Sequence, residues 1–436
     1  MADAAVPDGG KTRRLRVFFL PFFARGHLIP LTDLACRLAA ARPADVESTM
    51  VVTPANAALI EPTVSRAAAA GHAVRVLRYP FPDVGLGAGV PLHEALLRAH
   101  RPDAVVADVP FWWTTAVAAE LGVPRVTSHP VGAFPQLAMN SLAAVRADIV
   151  ARRDDAAPVA VPGLPGEVEV AIPVSELPDF LVRDDHLSAL WDRLKASQLA
   201  GFGVVVNTFA DLAYFVGPIS QPSLSSVRRG GDGDVACLEW LSGKPSRSVV
   251  YVCFGSWAHF SAAQTRELAL GLEASNHPFL WVEDGWERRV AGRGLVVRGW
   301  APQLAVLAHP SAASAGVPVL TWPLVFEQFI NERLVTEVAR FGARVWDGGK
   351  RSARHDEAET VPAEAVARAV AGFMERGARR ERMEGRAREL AERARAAVAE
   401  NGSSWRDIHR LVDDLVQARR ASDHTRMAQE NIPNNI

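Results

Sequence analysis

Two side chains in the first third of the chain have the types and settings for acid–base chemistry. His27 lies in Pro21-Phe-Phe-Ala-Arg-Gly26-His27-Leu-Ile-Pro30, straight after an apolar, strand-like run. Gly26 would allow a tight strand-to-helix turn there, which places His27 at a helix N-terminus. The positive end of the helix dipole disfavours the imidazolium, so the ring stays neutral and able to take a proton. A histidine in that place is otherwise a cap or a solvated side chain. Asp108 closes the apolar run Asp103-Ala-Val-Val-Ala-Asp108. A histidine base needs an orienting partner, and an Asp at a strand end serves as that or only as a cap. Phe22, Phe111, Trp112 and Trp113 place rings near the same side. They would line an apolar pocket for a flat phenolic molecule, or simply fill the core.

A second group lies at 300–328. It reads Trp300-Ala301-Pro302-Gln303, then Ser311-Ala-Ala-Ser-Ala-Gly-Val-Pro-Val-Leu-Thr-Trp322-Pro323 after a short apolar stretch, then Leu-Val-Phe-Glu327-Gln328. Trp300 ends a strand-like run that Pro302 stops, and Glu327-Gln328 open a helix. Ser256, in Phe254-Gly255-Ser256, ends another strand. Each feature alone is weak, because a Trp or an acidic pair is more often core or solvated surface. The other eleven of the 12 histidines show no metal-ligand spacing, and most read as surface residues. Asp232-Gly-Asp234 reads as a solvated turn and not a metal site.

The elements that would carry these residues alternate in type. Strand-like runs at 16–23, 47–53, 73–79, 103–109 and 124–128 are separated by helical patterns at 31–41, 57–70, 91–99 and 111–121. Near-continuous apolar strands between helices mean a parallel sheet covered on both faces. Residues 151–186, rich in Pro, Asp and Arg, read as an excursion over the surface. A breaker-rich segment at 217–234 reads as a linker. A second strand–helix series runs from 235 to 403. Ser404-x-x-Asp407 resembles a capping box for a helix at 405–420, and the polar tail from 421 to 436 reads as disordered. The expectation is an α/β chain of two Rossmann-like, doubly wound domains, 14–216 and 235–403. Ligands would sit at the carboxyl ends of the strands, in a cleft between them.

Composition narrows the functions. The chain has 436 residues, 49% hydrophobic and 22% charged, with 48 basic against 49 acidic side chains for a net charge of −1. That is ordinary soluble α/β composition, with no basic surplus for nucleic acid. Only three cysteines (Cys36, Cys237 and Cys253) point to a reducing, cytosolic setting. Neither a secretory leader nor a run of ~18 apolar residues is evident, so no membrane span is expected. No Gly-x-Gly-x-x-Gly follows the first strand of either half, which argues against a dinucleotide-dependent dehydrogenase.

The order Trp-Ala-Pro-Gln, then Trp-Pro, then acidic-Gln resembles the nucleotide-sugar signature box of the plant family-1 UDP-glycosyltransferases, and Gly26-His27-x-x-Pro30 resembles that family's acceptor-side motif. The likeness runs from residue 14 to about 420, over nearly the whole chain. It implies the GT-B fold, with two facing Rossmann-like domains and the helix at 405–420 packing back on the first. It implies a monomeric, metal-free and cofactor-free enzyme that moves a sugar, with inversion, from a UDP-sugar to a small phenolic or flavonoid hydroxyl. UDP-glucose is the first guess, from Gln328. His27 would be the general base and Asp108 its orienter. Trp300 would stack on the uracil, with Ala301 and Gln303 at its edge. Ser256 would reach the phosphates, and Glu327 and Gln328 the sugar hydroxyls. Gly26, Phe22, Phe111 and Trp112 are the candidates for the acceptor pocket.

One part of the box is absent. The interval between Pro310 and Gly316 is roughly fifteen residues short of the family's, which there holds a strand, a glycine turn and the helix N-terminus for the pyrophosphate, then a Glu for the ribose. The five residues that remain span at most ~18 Å and cannot supply a strand and a helix. The second domain is therefore expected to lack one strand–helix unit. Other connections, after Leu212, at 85–91 and at 282–286, are terse as well. The competing expectation is a relative that binds a small molecule or partner without turnover.

Overall fold

The computed structural model describes residues 13–80, 89–165, 168–208, 214–215, 232–255, 260–282, 293–297, 301, 303–309 and 316–430. The chain divides into two compact units, one of Met1–Gly132, Trp191–Ser220 and Ala396–Ile436, the other of Ala133–Leu190 and Gln221–Arg395. The expected linker at 217–234 spans one crossing, at Ser220, although residues 216–231 lie outside the described ones. The chain also passes between the units at Gly132 and Leu190, inside the expected first domain, and at Arg395, near the expected boundary at 403 after which the last helix joins the first unit.

The first unit opens with β1 (Leu15–Leu20), α1 (Arg25–Ala41), β2 (Val46–Val52), α2 (Pro54–Ala69) and β3 (Val74–Arg78). It continues with α3 (Gly89–His100), β4 (Ala104–Asp108), α4 (Thr114–Leu121) and β5 (Arg125–His129). After the hairpin β6 (Pro158–Ala160) and β7 (Ala171–Pro173), which belongs to the second unit, come β8 (Gly203–Val206) and β9 (Tyr214–Phe215). The sheet order is β3-β2-β1-β4-β5-β8-β9, all parallel. Strand direction of travel reverses between β1 and β4, the place where doubly wound sheets bind ligands. Both β1 and β4 bury side chains on both faces, as their unbroken apolar runs require. In α1, Leu28, Leu31, Leu34, Ala35 and Leu38 recur at helical spacing and face the core.

The last helix, Ser403–Glu430, adds Ile408, Leu411, Val412 and Leu415 to the same core as Leu15 and Val17. The tail read as disordered from 421 is therefore helical to Glu430. No Gly or Pro interrupts 416–430, and Arg419 and Ser422 donate to the carbonyls of Arg13 and Gly122 at 2.9 Å each.

The second unit carries β10 (Val250–Val252), β11 (Phe279–Val282), β12 (Gly294–Val297), β13 (Val319–Thr321) and β14 (Gly342–Arg344). These form two separate parallel sheets, β10-β11-β12 and β13-β14. In the first unit the strand after the reversal, β4, pairs with β1 on one side and β5 on the other. Among the described residues of the second unit, no strand takes that place between β10 and β13. Side chains bridge the interval instead: Val250, Val252 and Phe254 pack in one cluster with Leu320 and Trp322.

The stretch read as a surface excursion is partly core. Val174, Leu177 and Leu181 are buried, and Glu176 is 4% exposed. Glu176 meets Arg333 at 2.7 Å and Arg351 at 3.4 Å. Asp232–Asp234, read as a turn, opens the helix Asp232–Ser242. Among the described residues no helix is long and apolar enough to cross a membrane.

Candidate functional site

The two switch-point strands deliver His27 and Asp108 to one place. After β1 the chain turns over Pro21–Ala24, and α1 begins at Arg25, so Gly26 and His27 sit in its first turn. Gly26 is not the turn residue expected. It lies within α1, and a Cβ added to it would meet nothing within 4 Å. The N–H of His27 bonds the Ala24 carbonyl at 3.0 Å.

Asp108 ends β4 and is 2% exposed. Its Oδ2 accepts from the Phe22 N–H at 3.0 Å and lies 2.8 Å from His27 Nδ1, while Oδ1 accepts from the Val109 N–H at 2.8 Å. One carboxylate thus holds the turn after β1, its own strand end and the imidazole. A carboxylate at Nδ1 takes the N–H there and leaves Nε2 as the basic nitrogen. The His27 side chain keeps 26% of its surface accessible, so that nitrogen can be reached.

The rings follow from the same turn. Phe22 lies 5.2 Å from the His27 ring and 6.4 Å from Phe111, centroid to centroid. Phe111 meets Trp113 edge-on at 5.1 Å, and Trp113 meets Trp112 at 6.0 Å. The guanidinium of Arg193 stands 4.9 Å over the Trp112 ring. Phe22, Phe111 and Trp112 therefore form one aromatic series leading away from His27.

Two buried polar residues here escaped the reading of the sequence. His129, at the end of β5, is 4% exposed and not a surface histidine. Burial pushes its ring down to about 4, against the pull of Asp108, so it is neutral; its Nδ1 accepts from the Val131 N–H at 3.3 Å. With Gly26, His27, Asp108, Ser128 and Asn207 it lines a cavity of about 20 Å³. Arg125, which opens β5, is 2% exposed. Its guanidinium donates to Thr114 Oγ1 at 3.2 Å, to Thr127 Oγ1 and to the Phe111 carbonyl at 3.5 Å. Burial pushes it down to about 10, opposed by the Asp108 charge, so it remains a cation. A charged residue opening an otherwise apolar strand was the available signal. His93 is another histidine that is not at the surface, 4% exposed among Tyr79, Phe111 and Trp113.

The second unit holds the other candidates. Ala301 is 2% exposed, and Gln303 opens the helix Gln303–Ala308 with its amide donating to Cys253 Sγ at 2.9 Å. Glu327 stands at the position just before the helix Gln328–Arg333. The Gln328 side-chain oxygen accepts from the Leu324 and Val325 N–H groups at 2.8 and 3.4 Å, which folds the loop after Trp322-Pro323 onto the helix start. Its amide nitrogen is not needed for that. Behind them Glu332, 2% exposed, takes the Thr321 hydroxyl at 2.7 Å, Arg344 at 3.0 Å and Arg351. Ser256 and Trp300 lie outside the described residues, as do 310–315 and the terse connections after Leu212, at 85–88 and at 283–286.

Residues 237–345 match the sequence profile of a family described as UDP-glucoronosyl and UDP-glucosyl transferase. The chain is 32% identical to anthocyanin 3'-O-beta-glucosyltransferase of Gentiana triflora, over 92% of this chain and 98% of that protein. It is 34% identical to UDP-glucose flavonoid 3-O-glucosyltransferase 7 of Fragaria ananassa, over 92% and 96%. The first match extends over 486 positions, more than this chain's 436 residues, so it opens gaps on this side. Among solved structures, Glycyrrhiza uralensis UGT73P12 complexed with glycyrrhetinic acid 3-O-monoglucuronide superposes with a TM-score of 0.85 at 28% identity, covering 96% of this chain and 99% of that one. Medicago truncatula UGT71G1 complexed with UDP-glucose shares the fold, with a TM-score of 0.77 at 22% identity over 92% and 98%.

Proposed function

The chain belongs to the plant UDP-glycosyltransferases, and from that membership we propose that it is built to transfer glucose from UDP-glucose to a hydroxyl of a small phenolic or flavonoid acceptor. The observation that carries the acceptor side is the His27–Asp108 pair at 2.8 Å beside the Phe22–Phe111–Trp112 rings. His27 Nε2 takes the proton of the acceptor hydroxyl as its oxygen bonds to the anomeric carbon. The bond from that carbon to the UDP oxygen breaks on the opposite side, UDP leaves with the electron pair, and the configuration inverts. Asp108 holds the ring and stabilises the imidazolium that forms. The route takes no metal, the UDP-sugar being a co-substrate. The relatives named for anthocyanin and flavonoid support the acceptor class. Cys36, Cys237 and Cys253 form no disulfide, which suits a cytosolic setting.

The divided sheet of the second unit favours a second reading for this chain as it stands. Among the described residues no strand pairs between β10 and β13, and the five residues between Pro310 and Gly316 are too few for the strand and helix N-terminus that would supply backbone donors to a pyrophosphate. We propose that donor binding is impaired while the acceptor side is complete. Calorimetric titration with UDP and with a flavonol separates the two: flavonol heat without UDP heat supports impairment. UDP heat together with glucose transfer at ordinary rates supports the intact enzyme.

A further inference from the structure

A cavity of about 270 Å³ opens in the second unit where β13 and β14 end, at Trp322 and Trp346. Ala301, Gln303, Glu327 and Gln328 do not line it. Phe260, with its ring 5.2 Å from that of Trp322, adds a third aromatic side chain, and all three are only partly covered. The loop after β14 is laid against the Trp346 ring by two glycines. A Cβ at Gly348 would stand 2.8 Å from Trp346 Nε1, and one at Gly349 would strike both the Trp346 ring and Glu359 Oε2. Gly349 has a φ of +59°, which suits glycine, and the Glu359 carboxylate is thereby held beside the ring.

Four charged side chains line the same space: Lys350, Arg351, Asp356 and Glu359. The two cations are already engaged. Lys350 meets Asp155 at 3.0 Å and Glu357 at 3.6 Å, while Arg351 meets Glu332 and, at 3.4 Å, Glu176. Asp356 and Glu359 are exposed, and among the described residues neither carboxylate has a hydrogen-bond or ion-pair partner. The charge left over in the cavity is therefore negative. Aromatic faces carry negative potential too, so rings beside uncommitted carboxylates favour a cation with an apolar body. The volume lies just below that of pockets for drug-sized ligands, which suits a smaller molecule.

We propose that this cavity is a binding site for a small organic ammonium ion carrying an aromatic body. Phe260, Trp322 and Trp346 take the body, and Asp356 and Glu359 accept from the ammonium N–H groups. The site lies wholly within the second unit and rests neither on the role of His27 nor on the donor residues.

The test is a saturation-transfer NMR titration of the full chain with 2-phenylethylammonium, with 2-phenylethanol as the neutral molecule of the same shape and phenylacetate as the anion. The ammonium ion is expected to bind at least about threefold more tightly than the alcohol, and phenylacetate more weakly than either. D356N/E359Q is expected to bring the ammonium ion down to the affinity of the alcohol. A358W, which plants a ring in the cavity from an exposed lining position, is expected to abolish binding of both. No binding of the ammonium ion, binding no tighter than that of the alcohol, tighter binding of phenylacetate, or undiminished binding to A358W overturns the proposal. Should A358W not fold, D356N/E359Q decides alone, and an unchanged preference for the ammonium ion in that variant overturns it.

Discussion

The ring of Phe254, just past β10, lies 5.6 Å from that of Trp322, just past β13, at an interplanar angle of 85°. The two strands meet through side chains and share no ladder hydrogen bond. Phe260 joins the same contact at 4.4 and 5.2 Å. An aromatic cluster spans the place where a doubly wound sheet has a strand. It preserves apolar burial but leaves strand edges without ladder partners among the described residues, and supplies nothing to bind a pyrophosphate.

Restoring that strand is the first prediction. Insertion of roughly fifteen family-like residues between Ala312 and Ala313, enough for a strand and the start of its crossover helix, is expected to raise the melting temperature. Each kcal/mol gained in a unit of this size shifts the midpoint by about 2–4 °C. The insertion is also expected to create UDP binding measurable by calorimetry. No change in either quantity would show that the divided sheet is not a lesion.

H27A is expected to reduce glucose transfer by ~10²–10⁴, the usual cost of removing a general base. The fold should survive, because the side chain is 26% exposed and lies in the first turn of α1. Flavonol binding should survive as well. If transfer is too slow in the wild type to measure, the comparison is made in the chain with the insertion. Equal turnover would remove His27 from the mechanism.

E327A and Q328A are expected to raise the apparent donor constant more than the acceptor constant. Q328A should also loosen its loop, since the Leu324 and Val325 N–H groups lose their acceptor. Each such bond is worth about 0.5–1.5 kcal/mol, so its melt should fall while that of E327A need not. An effect confined to the acceptor constant would mean that this helix start faces something other than the sugar.

E332A should be among the most damaging single changes in the second unit. It removes one of the two carboxylates held by Arg344 and by Arg351, which keep Glu337 and Glu176, and the shorter of two acceptors of the Thr321 hydroxyl on β13. Breaking a buried pair from one side typically costs about 3–5 kcal/mol. A urea midpoint within error of the wild type would show that water reaches these arginines.

Acid should destabilise the first unit well above the carboxylate range. Burial pushes both His93 and His129 down to about 4 from an ordinary 6.5. Below pH 6.5 the unfolded chain takes up protons that the folded one refuses. Stability present above 6.5 is therefore lost as the pH falls towards 4, by at most about 3 kcal/mol per histidine. Urea midpoints at pH 7 and pH 5 measure the slope, and H93F should flatten it. An unchanged slope in H93F would mean that His93 is protonated in the folded state.

Much of this was legible in the residues themselves. Alternation of apolar runs with helical spacing dictates a parallel, doubly wound sheet, because strands covered on both faces have no polar side to show. Trp300-Ala-Pro-Gln303, Trp322-Pro323 and Glu327-Gln328 named the family, because chemistry at strand ends depends on local residue order. The short interval before Gly316 limits what those residues can reach, and among the described residues no strand pairs between β10 and β13. What tertiary structure alone decided lies in contacts between residues far apart in sequence. The 2.8 Å pairing of His27 with Asp108 needs β1 and β4 to be neighbours. The burial of Arg125 and His129, and the packing of Glu176 against Arg333 and Arg351, turn on what other elements cover them. No local pattern carries that information, because burial belongs to the assembled core, and with it go the charge balance and proton affinity of every group inside.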